Sequence, residues 1–202
     1  MNIALFDFDG TITHADMYTK FLHFSATKRR SLIAKIVLSP FFILYKVGVL
    51  RAANMRRIAS FVAFSGRKVD EVVAVGQGYA ENIVPQFLRE EALTQLSLHT
   101  QNGDQIVIVS ASLDVYLKHW CAQNGFALIC SELEVKRGKF SGGYVNGDCS
   151  GVNKSKWICA KFDLGLYDRV YAYGDTQEDL AMLSLADEAY LNWARYCVDA
   201  AR

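Results

Sequence analysis

The sequence IALFDFDGTIT, residues 3–13, carries an apolar run directly into two acids, Asp7 and Asp9, with one phenylalanine between them. A short apolar run that ends in acids and glycine is typical of a buried strand in a parallel sheet. Burying a carboxylate is costly unless a partner compensates its charge. Two acids at the end of a buried strand therefore indicate a site that holds such a partner.

Two further apolar runs also end in polar residues. Residues 106–109 lead to Ser110, and the sequence RVYAYG leads to Asp175. Helical patterns separate these runs, and repeated strand–loop–helix units predict a parallel sheet. Because ligands in such folds lie at the carboxyl ends of the strands, we expect Asp7, Ser110 and Asp175 to share one crevice.

The composition is that of an ordinary globular protein, with 202 residues and 51% hydrophobic content. The net charge of +1 gives the protein no overall electrostatic attraction to nucleic acid, so we expect no nucleic-acid partner. Five cysteines without Cys-x-x-Cys spacing predict reduced thiols in a cytosolic protein and argue against a zinc site. The N-terminus has no basic region ahead of its first apolar run, which predicts that no signal peptide is present.

The acids at these strand ends suit a divalent cation. Asp7 and Asp9 are too close for both to ionise comfortably without a cation or a shared proton. Asp175 and Asp179, in GDTQED, supply further carboxylates. Oxygen ligands suit Mg²⁺, which keeps several waters and often bridges to a substrate phosphate. The sequence therefore predicts Mg²⁺ as the cofactor, with the four aspartates as candidate ligands.

Other residues suit a phosphate group. Thr11 and Ser110 offer hydroxyls, and Lys154 in GVNKSKW offers a positive charge near a helix start. We expect the backbone of Ala111 to line the same site. A carboxylate that attacks a phosphate dianion meets charge repulsion, which Mg²⁺ and a lysine would offset. These residues fit a covalent mechanism with an aspartyl-phosphate intermediate and a second acid that protonates the leaving oxygen.

Taken in order, the four motifs resemble those of the haloacid dehalogenase superfamily of phosphohydrolases. They are DFDGT at residues 7–11, Ser110 in IVIVSAS, Lys154 in GVNK, and GDTQED. The resemblance covers essentially the whole chain and is closest to the phosphoserine-phosphatase-like subclass, subclass IB. It implies an α/β fold with a Rossmann-like three-layer core, a parallel sheet and an inserted α-helical cap. The core would comprise residues 1–13 and 85–202, and the cap residues 14–84.

The resemblance also implies roles for the aspartates. Asp7 would be the nucleophile, and Asp9 would be the general acid and base. Mg²⁺ would be held by the Asp7 side chain, the Asp9 backbone carbonyl and Asp175, while Asp179 would act directly or through water.

For the remaining motif residues, the resemblance implies that Ser110 and Lys154 hold the phosphoryl group. The implied activity is a Mg²⁺-dependent phosphomonoester hydrolase. Two alternatives stay open, namely a phosphotransferase or mutase with the same chemistry and a non-catalytic membrane-surface module.

The substrate is less well defined by the sequence. Relatives that act on phosphoserine carry Glu nine residues after the nucleophile, where this chain has the shorter Asp16. A cap arginine would meet a substrate carboxylate; Arg56 and Arg57 are the candidates, and we expect Arg57 to bind substrate. A similar apolar cap occurs in relatives that resemble phosphatidylglycerophosphate phosphatases. A small phosphomonoester and a lipid-linked one both stay open.

Residues 31–50 form an apolar segment long enough, in principle, to cross a bilayer core of ~30 Å. Lys35, Pro40 and Lys46 interrupt it and argue against a span. A cap core, a dimer surface and peripheral membrane contact stay open, the last because the basic sequence TKRR precedes the segment. We expect a cytoplasmic protein, with membrane association through residues 31–50 as an open alternative and the oligomeric state undefined.

Overall fold

The structure, a computed structural model, describes residues 1–197. Its strands are β1 (Ile3–Phe6), β2 (Gln105–Leu113), β3 (Ala127–Ser131), β4 (Leu133–Lys136), β5 (Lys139–Tyr144), β6 (Val170–Gly174), β7 (Glu188–Leu191) and β8 (Ala194–Tyr196). Its α-helices are α1 (Met17–Ser25), α2 (Lys28–Lys46), α3 (Ala52–Phe64), α4 (Val69–Asn82), α5 (Glu90–Gln101), α6 (Asp114–Asn124), α7 (Val152–Lys161) and α8 (Leu180–Leu183). Short 3₁₀ helices cover Val84–Phe87, Leu164–Leu166 and Gln177–Asp179.

Six strands form one sheet in the order β3-β2-β1-β6-β7-β8. All neighbours pair in parallel except β7 and β8, which are antiparallel. The central strand β1 pairs with β2 on one side and β6 on the other, and all of its side chains are buried. The parallel sheet predicted from the apolar runs is therefore confirmed, and β1 lies at its centre.

Helices cover both faces of this sheet. Alternate residues of β1 point to opposite faces, as strand geometry requires. Ala4 and Phe6 pack in the larger core with residues such as Trp120 of α6, whereas Leu5 packs in the second core with Ile158 of α7. The predicted three-layer α/β architecture is confirmed.

Helices α1 to α4 are inserted between β1 and β2. Phe21 of α1, Tyr79 of α4 and Tyr116 of α6 form an aromatic cluster whose ring centroids lie 5.0–5.2 Å apart. Gly76 of α4 lies so close to α6 that a Cβ there would be 2.0 Å from the Val115 carbonyl oxygen. The packing of α4 on α6 anchors the inserted helices to the core.

Helix α2 differs from its neighbours because none of its residues is buried. The Arg30 side chain fixes its beginning by donating hydrogen bonds to three carbonyls at the end of α3. The helix runs continuously through Pro40, although proline removes one donor from the hydrogen-bond ladder. Within residues 1–197, no helix is both long enough and apolar enough to cross a bilayer.

Strand β2 extends beyond the end predicted for it. Its apolar run stops at Val109, but pairing with β3 resumes at Leu113 after a register irregularity that begins at Ser110. Ser110 therefore lies within the strand, and the chain next to it deviates from regular pairing. Such irregularities re-aim side chains near functional sites.

Candidate active site

The carboxyl ends of β1, β2 and β6 meet at one edge of the sheet and line a cavity of about 850 Å³. Asp7 follows β1 directly, and its backbone N–H donates to the Tyr173 carbonyl of β6 at 2.9 Å. The cavity lining includes Asp7, Ser110 and Asp175, so these residues share one crevice, as the strand ends predict. Asp9, Ala111, Lys154 and Asp179 also line it.

Lys154 lies at the centre of the carboxylates. Its Nζ donates to Asp7 Oδ1 at 2.5 Å and to Asp179 Oδ1 at 2.6 Å, and Lys154 is only 2% exposed. Burial alone lowers the pKa of this ammonium, but the charges of Asp7 and Asp179 raise its pKa above the usual range. Lys154 is therefore charged at neutral pH and partly neutralises the two acids.

The first turn of α7 delivers this lysine. The helix begins at Val152, and the Gly151 N–H donates to the Glu178 carbonyl at 2.9 Å. Asp179 Oδ2 accepts the backbone N–H groups of Asp175 and Thr176 at 3.1 and 3.0 Å. The start of α7 and the loop after β6 are thus held together, which fixes Lys154 beside Asp179.

Three carboxylates form a cluster that fits a cation. One oxygen each from Asp7, Asp175 and Asp179 lies within 4.8 Å of the other two. Burial and the neighbouring Asp179 raise the pKa of Asp175 to about 6, and burial raises that of Asp7. Three acids beside one lysine leave excess negative charge, and carboxylate oxygens are the ligands that Mg²⁺ prefers. The donor set therefore fits Mg²⁺.

Gly10 allows the cluster to form. Its φ is +85°, and a Cβ at this position would lie 2.0 Å from Asp175 Oδ2. Any other residue would be strained in this conformation and would collide with the carboxylate. The glycine after Asp9 is thus required by the close approach of Asp175.

The carboxylate of Asp9 points away from this cluster. Its Oδ1 accepts the Met17 N–H at the start of α1, and its Oδ2 accepts the Ser112 hydroxyl, both at 2.5 Å. Burial raises the pKa of Asp9 to about 6, although these two hydrogen bonds oppose the shift. Asp9 is thus a carboxyl that can exist in both protonation states near neutral pH.

The phosphate-binding candidates occupy different surroundings. Ser110 is fully buried, and its Oγ accepts the Ser112 N–H at 3.0 Å. Thr11 is 2% exposed, is not part of the cavity lining, and its Oγ1 has no hydrogen-bond partner within residues 1–197. A buried hydroxyl without a partner costs free energy that a polar ligand could recover.

Two candidate specificity residues are positioned differently from each other. Asp16 lines the cavity but caps α1, because its oxygens accept the Thr19 N–H at 2.9 Å and the Thr19 hydroxyl at 2.6 Å. Arg57 is exposed on α3 and is absent from the cavity lining. The structure therefore does not bring Arg57 to the other site residues.

The neighbouring residue Arg56 lines the cavity. Its guanidinium donates to both carboxylate oxygens of Asp148 at 2.8 and 2.9 Å and to Glu178 at 2.9 Å. Asp148 and Glu178 are not among the site residues predicted from the sequence. Their positions in NGDCSGVNK and GDTQED, beside two motifs, are the only local signal.

The cavity extends from the carboxylates to the inserted helices. Apolar side chains of α1 to α3 line this outer part, namely Leu22, Ala34, Leu38, Phe42, Met55 and Ala59. Basic side chains of α2 line it as well, namely Arg30, Lys35 and Lys46. The cavity can hold an anionic group at its base and an apolar group further out.

Several known proteins resemble this chain in sequence or in fold. The family model of the haloacid dehalogenase-like hydrolases matches residues 4–184. Protein CicA of Caulobacter vibrioides is 31% identical over 197 residues, which cover 92% of this chain and 83% of that protein. A protein of unknown function from Bordetella pertussis Tohama I superposes with a TM-score of 0.80 at 20% identity, covering 94% of this chain and 89% of the other. A phosphoserine phosphatase, solved as a phospho-aspartyl intermediate analogue, superposes with a TM-score of 0.65 at 15% identity. The match covers 94% of this chain and 85% of the phosphatase.

Proposed function

The chain belongs to the haloacid dehalogenase-like hydrolase family, and on that premise we propose that it is a Mg²⁺-dependent phosphomonoester hydrolase with an aspartyl-phosphate intermediate. The observation that carries the proposal is the buried ammonium of Lys154 at the carboxylate of Asp7, beside the further acids Asp175 and Asp179. A lysine and a cation at a nucleophilic carboxylate offset its repulsion from a phosphate dianion. The phospho-aspartyl analogue of the related phosphoserine phosphatase supports the same chemistry.

The first step forms a bond between an Asp7 carboxylate oxygen and phosphorus while the bond from phosphorus to the ester oxygen breaks. Asp9 donates its proton to the leaving oxygen. The pKa of Asp9, raised to about 6 by burial, supports this role because a usable fraction is protonated near neutral pH. The products are an alcohol and phosphorylated Asp7.

The second step releases the phosphate. Asp9, now ionised, takes a proton from a water molecule whose oxygen attacks phosphorus. The bond between phosphorus and Asp7 breaks, so inorganic phosphate leaves and the Asp7 carboxylate is restored. Asp9 regains its proton and is ready for the next cycle.

We assign the cation to the Asp7 side chain, the Asp9 backbone carbonyl and Asp175, with Asp179 acting directly or through water. Mg²⁺, when bound, supplies positive charge to the phosphate oxygens. The proximity of the three carboxylates supports the assignment. Asp179 also holds Lys154 in place through their 2.6 Å hydrogen bond.

Ser110, the Ala111 backbone and Lys154 hold the phosphoryl group in this proposal. All three line the cavity base beside Asp7. Thr11 is a further candidate, because its buried hydroxyl has no protein partner within the described residues.

The proposed domain division assigns residues 14–84 to a cap that limits water access to the site. Residues 1–13 and 85–202 form the core, of which 198–202 lie outside the described part of the chain. The position of α1 to α4 between β1 and β2, and their contribution to the cavity wall, support this division.

The proposed substrate is a small or lipid-linked phosphomonoester whose alcohol portion is apolar. The apolar outer wall of the cavity supports this choice. Recognition of free phosphoserine would need groups for its amine and its carboxylate. Asp16 instead caps α1 through Thr19, and Arg56 is already paired with Asp148 and Glu178. Arg57 is exposed outside the cavity lining.

Phosphate release from p-nitrophenyl phosphate tests the proposed function. We expect turnover by the wild type that requires Mg²⁺, and a loss of about 10³-fold or more in Asp7→Asn, which lacks the nucleophile. Asp163→Asn is the matched control, because Asp163 is exposed and caps only the short 3₁₀ helix Leu164–Leu166. Turnover without Mg²⁺, or equal rates in wild type and Asp7→Asn, would refute the proposal.

A further inference from the structure

The outward face of α2 is apolar and open to solvent. Leu32, Ile36, Val37, Ile43, Leu44 and the following Val47 are 40–69% exposed. At 3.6 residues per turn they occupy a single arc of about 140° on the helix. A surface helix normally turns such a stripe toward the core. This arc instead points away from the cavity, whose lining from α2 combines the apolar Ala34, Leu38 and Phe42 with the basic Arg30, Lys35 and Lys46. The outward arc of α2 is therefore apolar but not packed on the core, and an exposed apolar face of this kind marks an interaction surface.

The charge around this face has one sign. Residues 17–69 contain eleven lysines and arginines and no acid, whereas the rest of the chain has a net charge of −10. The exposed cations Lys28, Arg29, Lys35 and Arg51 form no ion pair with any acid within residues 1–197. The partner of this surface must accept apolar side chains and supply negative charge.

The lysines follow the edge of the apolar arc. At 3.6 residues per turn, Lys28, Lys35 and Lys46 fall within about 20° of one another, next to the arc border at Leu32. Long cationic side chains beside an apolar face can extend to lipid headgroups while their stems stay in an apolar layer. This is the arrangement of a helix that lies in the plane of an anionic bilayer surface.

A second copy of this chain fits the surface poorly. A two-fold dimer would bring the same patch of each chain together, and hence two strongly positive surfaces. Like charges across an interface oppose association. The excess of positive charge therefore favours a lipid surface over self-association.

We propose that the outward face of α2 docks the protein on an anionic lipid bilayer, with the helix axis parallel to the membrane plane. The helix does not span the bilayer, in agreement with the finding that no helix within residues 1–197 is both long and apolar enough to do so. Docking leaves the opposite side of α2, which lines the cavity, facing the active site. The proposal rests on the exposure and charge of α2 and is independent of the catalytic chemistry.

Co-sedimentation with vesicles tests the proposal without an activity readout. The probes are vesicles of phosphatidylcholine alone and of phosphatidylcholine with about one-third phosphatidylglycerol, because anionic lipid attracts polybasic segments. We expect the wild type to bind only the anionic vesicles and to dissociate as salt is raised. Ile36→Ser/Ile43→Ser should weaken binding more than about 100-fold, and Lys28→Gln/Arg29→Gln about 10- to 30-fold.

Leu166→Ser is the matched control, because Leu166 is 81% exposed on a different part of the molecule, and it should bind like the wild type. Sedimentation velocity of each variant gives its folding state and oligomeric state. No binding of the wild type, equal binding to both vesicle types, or unchanged binding of Ile36→Ser/Ile43→Ser would overturn the proposal. A wild-type dimer that Ile36→Ser/Ile43→Ser converts to a monomer, without vesicle binding, would assign the face to a second copy instead.

Discussion

The carboxylate of Asp9 is held on both sides. The Met17 N–H and the Ser112 hydroxyl donate to its two oxygens, and such hydrogen bonds favour the ionised form. Burial favours the neutral form and has the larger effect, so the pKa of Asp9 rises to about 6. Ser112 thereby controls how much of the proposed general acid is protonated at neutral pH.

Replacement of Ser112 by alanine should raise the pKa of Asp9 further, because a donor to the ionised form is lost. If protonated Asp9 is needed for the first step, the alkaline limb of the profile of kcat/KM against pH moves to higher pH. The shift should be about one pH unit, as expected for one lost hydrogen bond to a charged group. The measurement is kcat/KM between about pH 5 and pH 9 at saturating Mg²⁺.

Ser155→Ala is a suitable control for this profile, because the Ser155 hydroxyl is exposed and donates to a carbonyl of its own helix. The proposed role of Ser112 is contradicted if the alkaline limb of the Ser112→Ala profile stays at the wild-type position or moves to lower pH.

The sequence could predict the motif residues but not every contact they make. The acids Asp7 and Asp175 follow apolar strands, a local pattern that a parallel sheet converts into proximity. The choice between Arg56 and Arg57 has no such local pattern. Consecutive helix residues point about 100° apart, so tertiary packing of α3 decides which of the two reaches the cavity.

Helix α3 is linked to two loops of the core through a single side chain. Arg56 joins it to Asp148, which precedes α7, and to Glu178, which follows β6. Asp148 is only 4% exposed, so the pairing with Arg56 offsets the cost of burying its carboxylate. Arg56 thus positions an inserted helix over the site.

Arg56→Ala should lower the free energy of unfolding by about 3 kcal/mol, because it leaves the buried carboxylate of Asp148 unpaired. It should also raise KM, because α3 forms part of the cavity wall. Urea denaturation and steady-state kinetics measure the two effects.

Arg57→Ala is the informative comparison because Arg57 is the exposed neighbour. Its unfolding free energy should change by no more than about 0.5 kcal/mol. A larger rise in KM for Arg57→Ala than for Arg56→Ala would show that Arg57 binds substrate, as expected from the sequence, and would contradict the conclusion that Arg56, through its position on α3, supports the cavity wall.

Most helices and strands could be predicted from the sequence, but the tertiary contacts that they make could not. The pattern of residues 31–50 indicates an apolar helix, yet it cannot tell which face other helices cover. The link between Arg56 and Glu178 joins residues 122 positions apart, which no local pattern contains. The extension of β2 past Ser110 likewise depends on its neighbour β3.

At the scale of the whole molecule, the family and the three-layer α/β fold inferred from four short motifs are confirmed. The fold could be inferred from these motifs because a parallel sheet brings the ends of distant strands, and the motifs that follow them, to one edge. The segregation of charge between residues 17–69 and the rest of the chain was not predicted, because the net charge of +1 conceals it. The net charge is thus a poor guide to the electrostatic field around individual parts of this protein.

Binding of Mg²⁺ to the carboxylate cluster should stabilise the whole fold. At about 100 times its dissociation constant, a ligand of the native state adds about 2.7 kcal/mol, which corresponds to a rise of roughly 5–10 °C in Tm for a chain of this size. Thermal unfolding with and without Mg²⁺ measures the effect, and EDTA should reverse it.

Asp175→Asn should abolish most of this rise, because it removes a carboxylate from the cluster. Asp163→Asn should retain it. An equal Mg²⁺-dependent rise in Asp175→Asn would show that the cation binds elsewhere.

The central claim is that substrate phosphorylates Asp7, and acid quenching during turnover followed by peptide mass spectrometry tests it most directly. The account predicts one phosphoryl group on the wild-type peptide that contains Asp7, at the side chain of that residue, and none in Asp7→Asn. Turnover with the phosphoryl group on another residue, or turnover of Asp7→Asn at the wild-type rate, would contradict it.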